Sequence, residues 1–367
     1  MKFLEIQAET ISIPLKQPFK TALRTVDCLE NICVRILTDT EHIGFGGAAP
    51  TAVITGETVP SILGALKHIQ DSLAGMDIED AEILFQKLNA CMIGNHSAKA
   101  AVDMAVHDLL GKLYGLALFR LLGGTAAPLE TDMTVSMDSP EKMASDGLEK
   151  TGQGFSILKI KVGNDPALDI RRIMAVRKAV GDGVRLRIDA NQGWKPKEAV
   201  VVVNRLLKQG VDIELIEQPV SAGDYAGMRF VRDRVDIPVI ADESVFSPAD
   251  ALRLIEMQAA DGINIKLMKC GGIFNALKIA AIAESAGLTC MVGSMMESSL
   301  SVTAAAHLAC SRRVINACDL DAPLFCSDNP IQGGIHYIAS AISVPDGPGL
   351  GIRSIQPASP PETRPTF

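Results

Sequence analysis

A chain of 367 residues is too long for one small core and suits about two domains, one of them large enough to be a barrel. Its 47% apolar and 21% charged content is that of a globular protein. Its 43 acids against 35 bases give a net charge of -8, which argues against electrostatic binding to nucleic acid or to a membrane surface. The expected partner is a small molecule.

The opening residues, Met1 to Glu9, interrupt their apolar positions with acids, so they read neither as a secretory signal nor as a membrane span, and a cytoplasmic location is expected. The eight cysteines include no Cys-x-x-Cys and lie mostly in apolar stretches, which favours buried free thiols over disulfides or a zinc site. No His-x-x-x-His spacing occurs either. Any metal should therefore be held by carboxylates.

Residues 1–125 begin with alternating segments such as Asn31 to Thr38 and continue with helical ones. Ser97 to Leu116 carries Ala101, Met104, Ala105, Asp108, Leu109 and Leu110 at helical spacing. Strands followed by helices predict an α+β domain. After Pro128 short apolar runs alternate with amphipathic helices, and the runs end near Thr134, Lys161, Asp189, Glu217, Asp242, Lys266, Ser294 and Asp319. Each interval suits one strand, one helix and two short loops. Eight such units over 126–345 predict an α/β fold of the (β/α)8 barrel type. An open doubly wound sheet is the alternative, but no Gly-x-Gly-x-x-Gly turn follows the first strand. The Pro- and Gly-rich segment Asp346 to Gly351 reads as a linker that leads the tail, 346–367, back to the first domain.

In a barrel, chemistry gathers at the carboxyl ends of the strands. Lys159 and Lys161 lie two apart in an apolar run from Ile157 to Val162 and so share one face. Burying two ammonium groups together is costly unless anions or a reaction require them. The alternative is an edge strand with both lysines in water. Asp189, Glu217 and Asp242 close three consecutive strands, and hard oxygen ligands without nearby His or Cys suit Mg2+ or Mn2+. Any one of these acids alone could be a helix N-cap; three in succession argue for a site. Lys266 closes the sixth strand and faces the second across the barrel, so Lys161 and Lys266 can stand on opposite sides of a flat intermediate. Lys269, Asn191 and Asn264 are expected to make structural contacts.

These motifs, Lys159-Ile160-Lys161, Asp189-Ala190-Asn191, Glu217-Gln218-Pro219, Asp242-Glu243-Ser244 and Lys266-x-x-Lys269-x-Gly271-Gly272, resemble the enolase superfamily in its muconate-lactonizing subgroup. Within it the chain looks like a dipeptide epimerase of the L-Ala-D/L-Glu type. That likeness is carried by Lys20-Thr21-Ala22-Leu23-Arg24-Thr25, Val53-Ile54-Thr55-Gly56 and Asp319-Leu320-Asp321-Ala322-Pro323. The resemblance implies an N-terminal capping domain, completed by the tail, over an enolase-like barrel. It implies Mg2+ on Asp189, Glu217 and Asp242, Lys161 and Lys266 as the acid/base pair, and Lys159 as an electrostatic aid. The reaction would be a two-base 1,1-proton transfer through a metal-stabilised enediolate, with a base whose ammonium pKa is depressed by burial beside other cations.

Related lyases share these lysines and ligands, so the substrate must be read elsewhere. Asp319 and Asp321 share a face at the end of the eighth strand and make a receptor for an ammonium group, which a dipeptide has. A turn-forming acid pair is the plainer reading. By resemblance Arg24, in the loop from Lys16 to Arg24, pairs with the side-chain carboxylate of Glu; Thr134, on the first strand, is expected to touch the dipeptide, and Ser294, with Met295 and Glu297, to line the seventh-strand edge. Gly47 stands where family members commonly carry an acid. The competing readings are an o-succinylbenzoate synthase or cycloisomerase, and a non-catalytic metal-dependent binding protein. A homo-oligomer is expected.

Overall fold

The computed structural model describes residues 1–356. The chain begins with three antiparallel strands, β1 (Phe3–Lys20), β2 (Thr25–Thr38) and β3 (Ile43–Ala48), in that order across the sheet. Helices α1 (Val59–Leu73), α2 (Ala81–Ala90) and α3 (His96–Leu113) follow, then a short turn of helix, α4 (Leu118–Leu121), and a two-residue strand, β4 (Leu129–Glu130). The α+β reading of this region therefore matches the observed order of elements.

Helix α3 is buried along nearly its whole length because it packs both on the N-terminal sheet and on the barrel helices. Its approach to β3 is so close that a Cβ on Gly46 would lie 1.9 Å from Ala101 O. This is the physical reason for the glycines in Gly44-Phe45-Gly46.

The second region is an eight-stranded parallel sheet. Its strands are β5 (Met133–Val135), β6 (Ile157–Lys161), β7 (Arg185–Asp189), β8 (Leu215–Glu217), β9 (Val239–Ala241), β10 (Gly262–Lys266), β11 (Thr289–Gly293) and β12 (Ile315–Asp319). They are hydrogen-bonded in sequence order, and a Thr131–Cys318 bridge joins the two ends, so the sheet is nearly closed. The strand ends expected from sequence agree at Lys161, Asp189, Glu217, Lys266 and Asp319 and differ by one residue at Val135, Ala241 and Gly293.

The intervening helices are α5 (Pro140–Gly152), α6 (Pro166–Val180), α7 (Pro196–Lys208), α8 (Tyr225–Arg232), α9 (Pro248–Glu256), α10 (Leu267–Cys270), α11 (Ile273–Ser285) and α12 (Ser299–Ser311). Several start in the manner their sequence dictates: Ser139, Asp165 and Ser247 cap the first N–H groups, and a proline preset for the first turn follows each. After β12 a single 3-10 turn, Ala322–Phe325, stands where a regular barrel would have its eighth helix. The last strands, β13 (Ile331–Gly333), β14 (His336–Ile338), β15 (Ala341–Ser343) and β16 (Ile352–Ile355), form two small sheets, one of which includes β4.

The segment before β16 returns to the N-terminal region, where Leu350 N–H donates to Asp108 Oδ1 at 2.7 Å. The rest of the expected tail, 357–367, lies outside the described residues. All eight cysteines are free and six are buried. No helix among the described residues is long and apolar enough to cross a membrane.

Candidate active site

Strands β6 to β10 turn their last inward residues toward one mouth. Lys159 is fully buried, with its ammonium 2.5 Å from Asp319 Oδ2, 2.9 Å from Glu217 Oε2 and 3.0 Å from Asp189 Oδ2. Lys161 Nζ donates to Asp189 Oδ2 at 2.6 Å, and Lys266 Nζ donates to Asp242 Oδ2 at 2.8 Å. The edge-strand alternative for the lysines is therefore wrong: both lie inside the barrel among carboxylates. Lys269, expected to be structural, donates to Asn264 O at 3.0 Å and to Asp242 O, and pairs with Asp242 Oδ1 at 2.7 Å. Asn264 donates to Glu217 Oε1 at 2.9 Å, and Asn191 to Glu243 Oε1 at 3.2 Å.

The electrostatics follow from this packing. Burial and the neighbouring Asp189 push Glu217 up to about 7. Burial alone would raise Asp242, but Lys266 and Lys269 hold it well below the usual carboxylate range. Burial would likewise lower the Lys266 ammonium, yet Asp242 holds it well above the ordinary lysine value. At Lys266 the depressed ammonium expected from sequence is thus not what the protein's own charges create. Burial and neighbouring cations are outweighed by the carboxylate in direct contact.

Asp319 and Asp321 stand at the end of β12 and just beyond it. Thr134 N–H donates to Asp321 Oδ2 at 2.6 Å. Burial, then Asp319, raise Asp321 to about 6, whereas Lys159 and Lys161 overcome burial and keep Asp319 low. Together with Asp132 these two offer carboxylate oxygens all within 4.8 Å of one another, a spacing that could hold a metal ion. Asp132 and its partner Arg187, 2.9 Å away, are residues that sequence reasoning missed, as is the buried Glu243. The signal was present: Asp132 and Arg187 each precede a recognised residue, Thr134 and Asp189, by two positions and so share its face.

A cleft of about 540 Å3, mouth included, opens above these groups. Lys161, Lys266, Asn191, Thr134, Ser294, Asp319 and Asp321 line its floor and walls, and Arg24, Leu23, Val53 and Ile54 of the N-terminal region cover it. The segment around Arg24 differs from the loop expected between Lys16 and Arg24. Residues 16–20 continue β1, and only a tight turn remains. Thr21 closes that turn, its Oγ1 accepting from Leu23 N–H at 3.2 Å and Arg24 N–H at 3.3 Å. The Arg24 side chain is half-buried and forms no ion pair with a described residue. Glu297 accepts from Met295 N–H at 2.7 Å and shapes the β11 edge. Gly47 faces Leu300 and Ser301 of α12 and lies away from the cleft.

The chemistry of the acids that end β7 and β8 and follow β9, Asp189, Glu217 and Asp242, fits a hard divalent cation. Glu217 Oε2 and Asp242 Oδ1 are buried and lie against lysines, yet neither accepts a well-directed hydrogen bond from a described residue. Paired with lysines but without a directed hydrogen bond, such oxygens keep lone pairs that could serve as ligands.

Comparison with known proteins agrees with this architecture. Residues 5–123 match the N-terminal domain of mandelate racemase / muconate lactonizing enzyme, and residues 142–356 match the enolase C-terminal domain-like family. An L-Ala-D/L-Glu epimerase from Clostridium acetobutylicum is 54% identical over 94% of this chain and 97% of its own. The substrate-liganded structure of the L-Ala-D/L-Glu epimerase from Bacillus subtilis superposes with a TM-score of 0.96 at 49% identity, covering 97% of this chain and 99% of that one. The dipeptide epimerase from Enterococcus faecalis, solved with Mg and the dipeptide L-Leu-L-Tyr, gives 0.94 at 39% identity, covering 96% and 100%. With both regions matched and relatives similar over almost their full length, the chain belongs to the mandelate racemase / muconate lactonizing enzyme family of the enolase superfamily.

Proposed function

We propose that this protein is a dipeptide epimerase, an isomerase that interconverts L-Ala-D-Glu and L-Ala-L-Glu by two-base 1,1-proton transfer. The observation that carries the mechanism is that Lys161 and Lys266, from strands β6 and β10, line one cleft that also exposes Asp319, Asp321 and Arg24. A dipeptide ending in Glu offers a matching set of charges: an ammonium for Asp319 and Asp321, and a side-chain carboxylate for the unpaired guanidinium of Arg24.

In this reading one lysine, unprotonated, takes the Glu Cα proton, and the electron pair of the C–H bond moves toward the adjacent carboxylate. The opposite lysine, as ammonium, returns a proton to the other face. Lys159 stays charged among its carboxylates and stabilises negative charge as it develops on the substrate. A divalent cation, Mg2+ or Mn2+, would be held by Asp189, Glu217 and Asp242, supply Lewis-acid charge near the substrate carboxylate, and draw off the carboxylate charge that now raises Lys266.

The Asp132/Asp319/Asp321 group is read as the ammonium receptor. Arg187, Lys159 and Thr134 N–H already engage one oxygen of each acid, and only Asp319 and Asp321 reach the cleft. A related lyase would have no use for this ammonium receptor, and a silent binding protein would have no use for two opposed lysines. The activities of the L-Ala-D/L-Glu epimerases to which the chain is similar support the same choice.

We extend the reading to a cytoplasmic homo-oligomer, which suits the eight free thiols, and to a capping domain of 1–125 completed by the tail. Incubation with Mg2+ and L-Ala-L-Glu in D2O is expected to replace the Glu α-proton and yield the D-Glu diastereomer. Absence of exchange with every Ala-Glu isomer would refute the proposal.

A further inference from the structure

Helix α11 begins without a cap of its own. Its N-cap residue is Gly272, no acid stands in its first turn, and no side chain of the flanking segment reaches its free N–H groups. The missing acceptor comes from the other end of the chain. Asp103, fully buried in the middle of α3, accepts from Ile273 N–H at 2.6 Å and from Phe274 N–H at 3.2 Å. Gly272 makes room for it: its φ is +116°, and a Cβ there would lie 2.3 Å from Asp103 Cγ. The glycine that stands where Ser139 or Asp165 caps other barrel helices is thus fitted to a carboxylate imported from the N-terminal region.

The same seam is tied three times more. Ala49 N–H contacts Met268 Sδ at 3.4 Å, and Asn275 donates to Asn89 Oδ1 at 2.8 Å. Phe85 stacks on Phe274 with ring centroids 5.1 Å apart and on His107 at 4.5 Å. The tied segment is the continuation of Lys266. From Lys266 the chain passes directly into α10, Gly271 and Gly272 fold back on Leu267 O at 3.0 and 3.1 Å, and α11 begins. Lys269 in this turn clamps Asp242, the partner of Lys266. Behind Lys161 the turn packs near Ala22 of the N-terminal region, but among the described residues its hydrogen bonds stay within the barrel: Gly163 N–H donates to Asp169 Oδ2 at 3.0 Å, and α6 is capped locally by Asp165.

We propose that Asp103 is a positioning residue: by capping α11 from the N-terminal region it sets the turn behind Lys266, so that docking of that region onto the barrel aligns one of the two opposed lysines and not the other. This rests on the assignment of Lys161 and Lys266 as the acid/base pair.

The test compares the wild-type protein with Asp103→Asn, in which an amide N–H replaces one acceptor, and with Gly272→Ala, which crowds the carboxylate from the other side. α-Proton exchange in D2O is followed separately from L-Ala-L-Glu and L-Ala-D-Glu, and Lys266→Ala identifies the isomer that Lys266 serves. Each variant is expected to slow exchange at the Lys266 face roughly tenfold or more while the Lys161 face changes far less. Backbone amide exchange over 266–275 should quicken in Asp103→Asn. Equal losses at both faces, in step with lowered thermal stability, would overturn the proposal, as would unchanged exchange at both. If the wild-type protein exchanges neither isomer, the proposed reaction fails, and amide exchange alone decides: unaltered protection over 266–275 would overturn the coupling.

Discussion

Lys159 Nζ lies 2.5 Å from Asp319 Oδ2, so that one buried ammonium joins the second barrel strand to the eighth. The same ammonium also touches Asp189 and Glu217. Two of the three carboxylates proposed to hold a cation and one of the two proposed to receive a dipeptide ammonium therefore share a counter-ion.

Lys159→Met should preserve the fold's apolar packing and remove that charge. Exchange is expected to fall at both faces of the Glu α-carbon, by roughly a hundredfold or more, because the developing anion loses a fixed neighbour whichever lysine acts. Isotope exchange from each isomer measures it; loss at one face only would make Lys159 a base and remove its electrostatic role.

Lys161→Ala and Lys266→Ala should behave differently from Lys159→Met and from each other. Each is expected to abolish epimerization, since one proton must leave by one face and another arrive by the opposite one, yet each should still exchange the α-proton of a single diastereomer. Mass spectrometry of both isomers after incubation in D2O separates the cases, and variants that exchanged both isomers would contradict opposed bases.

Asp321→Asn weakens the receptor at the end of β12 without touching the lysines. KM for L-Ala-L-Glu is expected to rise by roughly ten- to a hundredfold, the usual range for a charge-assisted hydrogen bond, with a smaller change in kcat. N-acetylation of the dipeptide should mimic the loss in the wild-type protein. Undiminished turnover of the acetylated substrate would remove the ammonium argument.

His307 supplies a pH test away from the site. It is buried in α12, its Nδ1 accepts from Phe119 N–H at 3.1 Å, and burial pushes its pKa down to about 4. An unfolded histidine titrates near 6.5, so the unfolded chain takes up the proton first as the pH drops. The neutral ring's contribution is complete above that value and is lost between about 6.5 and about 4, amounting to about 3 kcal/mol. Urea unfolding of the wild-type protein and of His307→Gln from pH 7 to 4.5 should show the steeper decline in the wild type. Parallel declines would show that His307 is not held neutral.

Much of the architecture was legible along the chain because barrel strands repeat at nearly constant intervals and end in polar residues that a packed core excludes. Lys161, Asp189, Glu217 and Lys266 were found at their strand ends for that reason. Asp132 and Arg187 were not, although they stand two positions below recognised residues. Taken singly, a buried ion pair in the barrel interior looks in sequence like any acid and any base. The segment from Lys16 to Arg24, expected as a loop, instead carries β1 on to Lys20: pairing with β2 through an irregular register overrides the local preference of Pro18 and its polar neighbours.

What the sequence alone determined was the inventory: which side chains end which strands, and hence that lysines and carboxylates meet at one mouth. That follows from the two-residue period of a strand and the regular spacing of the units. Only the tertiary structure decided the charges these groups carry and the partners that hold them. Lys266 is raised by Asp242 instead of lowered by burial, and α11 is capped by a residue 170 positions earlier. Both depend on contacts a few ångströms long between residues distant in the chain, and at that range Coulomb and hydrogen-bond energies follow separation in space.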